Sequence, residues 1–169
     1  MEFFFSKFIE MKNLLILLFI PLLGVSQDYK DIMSIKSVDM FKKVVIENGY
    51  EFNDEDEEGW VTYGFNIERD SIEGNKSSKW GMYNKLDDRF YFQFGTGNLL
   101  TEILLGDDVK LPYDEIRDDI KKNCQYYKII NYNGNDYVSY SCSQSSYKGK
   151  IGFMSLEGKG YIRHFPKPD

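Results

Sequence analysis

The stretch PYDEIRDDIKKNCQYYKIINYNGNDYVSYSC, residues 112–142, holds the only two cysteines in the chain and reads as a helix followed by a hairpin. Tyr113, Ile116, Ile120 and Cys124 recur at spacings of 3, 4 and 4, which puts them on one helix face. Pro112 suits the first turn, where a missing N–H costs little. Asn133-Gly134 is a two-residue hairpin signal. Beyond it, Val138, Tyr140 and Cys142 alternate onto one face of a strand.

About 75 residues earlier the same pattern occurs without cysteines. Val38, Phe41, Val45 and Gly49 repeat the helix spacing, with Ser37 as its N-cap and Gly49 as its stop. WVTYGF (60–65) matches YVSYSC (137–142), KWGMYN (79–84) matches KIGFMS (150–155), and RFYFQF (89–94) matches GYIRHF (160–165). The chain therefore reads as two tandem α-β-β-β(-β) repeats, at about 37–95 and 112–166. Four strands are expected in the second, which has a weaker turn at Glu157-Gly158. The expected fold is an α+β two-layer sandwich, an antiparallel sheet with two helices on one face. A period this long exceeds that of a solenoid unit and suits a pseudo-twofold domain.

In this alignment Cys124 replaces Gly49 and Cys142 replaces Phe65, a helix end facing an inward strand position. A disulfide tying helix to sheet is the expectation, with a reduced, buried pair as the competing reading. Closing a loop of about 18 residues stabilises by roughly 3 kcal/mol in the chain-entropy model. A redox or metal site is disfavoured by the absence of C-x-x-C spacing and of a nearby histidine.

From Met11 the N-terminal region reads as a secretory signal: a basic start at Lys12, an apolar run from Leu14 to Val25, then small residues at Gly24 and Ser26. Residues 1–26 are the expected signal peptide, with 1–10 a possible misassigned start, and 27–169 a single domain. The run is shorter than the roughly 20 residues of a spanning helix, so no stable membrane insertion is expected after cleavage. The expected location is secreted or periplasmic. A net charge of −6 repels phosphate backbones and argues against a nucleic-acid role. At 42% hydrophobic and 17% aromatic, the chain is too apolar to be disordered.

Asp54, Asp56 and Glu58 stand at the first, third and fifth positions of a calcium-loop pattern, followed by Gly59. The twelfth position, which needs a bidentate Glu, is Phe65. A solvated acidic turn is the plain reading and weak calcium binding the sharper one; no other cofactor is expected. His164 alternates with Ile162 while Tyr161, Arg163 and Phe165 point the other way, and reads as a surface or partner-contacting residue rather than a catalytic one. No nucleophile motif, zinc motif or glycine-rich phosphate loop is present, so no catalytic residue is assigned.

Alternation also puts Trp60, Thr62 and Gly64, then Tyr137, Ser139 and Ser141, on the sheet face away from the helices, with Tyr91 and Gln93 nearby. Tyr and Trp are enriched in binding hot spots. Trp60, Thr62, Tyr91, Tyr137 and Ser139 are thus the candidate partner-binding residues, although strand propensity alone favours the same residue types. The expected function is that of an exported non-enzymatic binding module for a protein. A glycan-binding domain and a small enzyme with dispersed carboxylates are the alternatives. In element order the layout is similar to the β-lactamase inhibitor proteins, which duplicate a helix-plus-four-strand unit and bind through the exposed sheet face. That resemblance carries over no residues, and fold likeness alone does not transfer function.

Overall fold

The computed structural model describes residues 27–87, 89–95 and 111–166. The expected signal peptide at 1–26 lies outside them, as does the apolar segment 97–110, which reads equally as helix or strand. Helix α1 spans Tyr29–Ser34 and α2 Val38–Glu47. Four strands follow: β1 Tyr50–Glu55, β2 Trp60–Phe65, β3 Lys79–Asn84 and β4 Phe90–Gly95. After α3, Pro112–Asn123, come β5 Gln125–Tyr132, β6 Asn135–Ser141, β7 Lys150–Leu156 and β8 Lys159–Phe165.

Local chemistry explains the helix ends. Asp28 and Asp31 form a reciprocal capping box at the start of α1, a helix the hydrophobic spacing did not announce. The Ser37 hydroxyl accepts from the Met40 N–H to open α2. In α3, Asp114 and Glu115 lie in the first turn and Lys121 and Lys122 in the last, complementing the helix dipole at both ends. The hairpins β5–β6 and β7–β8 turn at Asn133-Gly134 and Glu157-Gly158, where all four residues have positive φ.

All eight strands form one antiparallel sheet in the order β1-β2-β3-β4-β8-β7-β6-β5. The fold is α+β, with three helices among the described residues. Each half of the chain supplies four neighbouring strands, and the halves meet where β4 pairs with β8. β1 and β5 are the two edges, and the pairing of each slips near Phe52 and near Tyr126. Such irregularities, with the charged Asp54 and Lys128 beside them, discourage edge-to-edge association.

One face of the sheet meets the helices. Phe41 of α2 packs against Tyr63, Tyr83, Phe90 and Phe92. Tyr113 of α3 packs against Phe94 and lies over Gly160, where a Cβ would stand 2.3 Å from its ring. Glycine at 160 is therefore a condition of the helix seating this closely. The Tyr113 hydroxyl donates to the Met154 carbonyl at 2.8 Å and locks the contact.

Cys124, at the C-terminal cap of α3, is bonded to Cys142, just past the end of β6. The bridge ties the end of the helix to the sheet, a linkage that oxidising compartments permit. Among the described residues, no helix is long and apolar enough to cross a membrane.

His164 departs from its reading as a surface residue. It is completely buried, with Phe90 and Tyr147 edge-on to its ring at 5.8 and 4.8 Å. Its position follows from alternation with Ile162, itself a core residue. Burial drives its pKa down to about 4, and the backbone of Ile32 offsets that only in part.

Candidate binding face

On the side away from the helices, strand register aligns one continuous row across the sheet. It runs Asp54, Thr62, Met82, Tyr91, Arg163, Gly152, Ser139 and Lys128, one residue from each strand. Trp60, paired with Asn84, and Tyr137, paired with Ile130, belong to the same face. The five candidate residues are therefore on one surface, but their environments differ. Trp60, Thr62 and Tyr91 are half-buried, whereas Tyr137 and Ser139 are buried. Tyr137 is covered by Phe165, whose ring lies 5.4 Å away, and the Ser139 hydroxyl donates to the Lys128 carbonyl. Gly152 leaves room for this arrangement, since a Cβ there would sit 2.8 Å from the Phe165 ring.

Arg163 lies in the middle of the face and is only 8% exposed. Its guanidinium carbon is 4.1 Å from the Tyr132 ring centre, 4.5 Å from Tyr91, 5.8 Å from Trp60 and 5.9 Å from Tyr137. Its Nε and Nη1 are buried without a hydrogen-bond partner among the described residues. Removing an ion from water costs several kcal/mol, and attraction to ring faces returns only part of that. Burial also raises the Tyr91 pKa, as do the neighbouring Tyr137 and Tyr161, with Arg163 pulling the other way. The sequence reading sets Arg163 on the side opposite His164 and does not count it among the residues of this face. The available signal was an arginine placed two residues from an aromatic on either side, Tyr161 and Phe165, in a strand.

Beside this cage, a groove of about 470 Å³ is lined by Arg89, Lys128, Lys150, Asp87, Tyr132 and Phe165, among others. Arg89 is paired with Asp87 and donates to the Tyr132 hydroxyl at 2.7 Å. Lys150 and Lys128 lie over the Tyr127 ring at 4.4 and 5.3 Å. Cations thus concentrate on this side of a chain whose net charge is −6.

The acidic turn is organised by its own backbone. The Asp56 Oδ1 accepts from the N–H groups of Glu58 and Trp60 at 3.0 and 2.8 Å, closing the turn between β1 and β2. Asp54 belongs to β1, opposite Thr62. Among the described residues, no three His, Cys, Asp or Glu side chains converge on a point where a metal could be held. Carboxylates do gather elsewhere: Asp28, Glu115, Asp118 and Asp119 line an open groove of about 380 Å³ between α1 and α3.

Comparison of the chain with family models, with curated proteins and with solved structures finds no match. The similarity to β-lactamase inhibitor proteins therefore rests on element order alone.

Proposed function

We propose that the chain is an exported, non-enzymatic binding module that holds a protein partner on the outer face of its sheet. One observation carries this reading: the outer face runs unbroken across all eight strands, with Trp60, Thr62 and Tyr91 half-exposed on it and Tyr91 stacked on Tyr161. Large rings on a stiff sheet offer contact area at little entropic cost, which is what a hot spot requires. In this reading the two halves are tandem copies of one α-β-β-β-β unit, layered as sheet and helices. The signal-like N-terminal region and the disulfide agree with a secreted or periplasmic location.

The test is a partner screen with the native protein and a Trp60→Ala/Tyr91→Ala double variant. A specific partner that the double variant fails to hold while still unfolding cooperatively well above the assay temperature supports the module. Loss of fold in the variant, or binding that ignores both rings, counts against it. A glycan-binding domain is the second reading, favoured by the Tyr91–Tyr161 stack at 5.8 Å as a platform for sugar rings. Glycan-array binding lost in the same double variant, without any protein partner, would make it the better one.

A further inference from the structure

We propose that Arg163 anchors a carboxylate of the protein partner, an Asp or Glu side chain that reaches the outer face between Trp60, Tyr91 and Tyr132. The inference rests on the binding-face reading above and narrows it to a partner chemistry. Buried polar groups in folded proteins almost always have hydrogen-bond partners, and a buried guanidinium without one marks a place where an acceptor is missing. Nε and Nη1 of Arg163 are in that state among the described residues. The surrounding rings attract the cation and hold it in place without neutralising it. A carboxylate therefore meets a charge whose desolvation and ordering are already complete, and adds charge-assisted hydrogen bonds.

Charge distribution points the same way. Lys128 and Lys150, in the adjoining groove, have no carboxylate within ion-pair distance among the described residues. Cations without a carboxylate partner, collected on one face of a net acidic chain, suit an acidic partner surface, although Lys150 does donate to the Ser141 hydroxyl at 3.1 Å. Shape then favours a protein side chain over a polyuronate. Arg163 is sunk among rings, so reaching it requires those side chains to part, and a carboxylate on one or two methylenes asks for a narrower opening than a sugar ring does. A uronic acid carries its carboxyl directly on a sugar ring, whose width the same aromatic rim opposes.

The experiment pans a displayed library of random short peptides on the full chain with its disulfide intact, with alginate as a parallel polyuronate probe. The expected peptides carry Glu or Asp next to apolar residues. Changing that acid to its amide should weaken binding about tenfold or more, and Arg163→Met should do the same. With both changes together the losses should not add, because each removes the same contact. The amide exchange leaves the protein untouched, and Arg163→Lys supplies a second variant that keeps the charge but loses the fork.

Peptides that need Trp60 and Tyr91 but bind equally with the amide and with Arg163→Met would overturn the carboxylate anchor and leave the binding face standing. Alginate bound through Arg163 with no peptide selected would overturn the protein partner. If no probe depends on Trp60 or Tyr91, the binding-face reading fails and takes this inference with it.

Discussion

In the six central strands, two rows of side chains lie one residue apart and face opposite ways. The helix-facing row passes through Tyr63, Gly81, Phe92, Ile162, Phe153 and Val138; the outer row passes through Thr62, Met82, Tyr91, Arg163, Gly152 and Ser139. The first is covered by helices and contains only apolar side chains, a tyrosine and a glycine. The second mixes half-exposed residues with Arg163 and Ser139, which are as buried as parts of the core. Among the described residues, the contacts that cover Arg163 and Tyr137 there are neighbouring rings leaning over the sheet. Alternation therefore identifies which face a residue occupies, while the size of its neighbours decides how much water it keeps.

Several changes would break or sharpen this contrast. Phe92→Ala, in the helix-facing row, should cost about 4 kcal/mol through lost packing and a residual cavity, read by urea unfolding. The adjacent outer-row change Tyr91→Ala should cost clearly less. Equal losses would mean that the two faces are not energetically distinct.

Acid should act through the helix-facing side, because His164 is held neutral there. Its folded pKa of about 4 lies below the ordinary value near 6.5, so its contribution is complete above about pH 6.5 and fades as pH falls toward 4. The loss should approach about 3 kcal/mol across that window. Unfolding measured near pH 7.5 and near pH 4.5 should show it, and His164→Leu should remove that part of the pH dependence. An unchanged pH dependence in the variant would show that carboxylates alone carry it.

Gly160→Ala should cost about 2 kcal/mol, since its Cβ would strike the Tyr113 ring and push α3 off the sheet. Thermal melting reads this, and a smaller loss should follow if Tyr113→Leu is introduced with it. Arg163→Met should reverse the sign, with a gain of about 1 kcal/mol from replacing a buried unpaired charge by an apolar side chain. A melting temperature that falls instead would show that the ring contacts outweigh the desolvation of the charge. Thr62→Ala, half-exposed in the outer row, should change stability by no more than about 0.5 kcal/mol.

Much of the fold was legible along the chain. Apolar spacing located α2 and α3, Asn133-Gly134 located a hairpin, and the paired segments located β2, β3, β4, β6, β7 and β8. α1 was not, because six residues capped by Asp28 carry too short a hydrophobic period to register. β1, with the pattern YEFNDE, was hidden by its acidic end, which reads more readily as a loop. For the candidate face, the sequence indicated that Trp60, Thr62, Tyr137 and Ser139 share a side. It gave no sign that Phe165 would cover Tyr137 or that Ser139 would be buried.

What the sequence determined by itself is local and periodic: which segments coil or extend, which residues share a face, where the chain turns, and that two cysteines stand at a helix end and a strand end. The tertiary structure alone decided that β4 pairs with β8, so that the two halves share one sheet, and that His164 enters the core while Arg163 lies among four rings. Those outcomes depend on contacts between residues far apart in the chain. Register between strands and the packing of one ring over another are set by the sum of many such contacts, and no single stretch of sequence contains that sum.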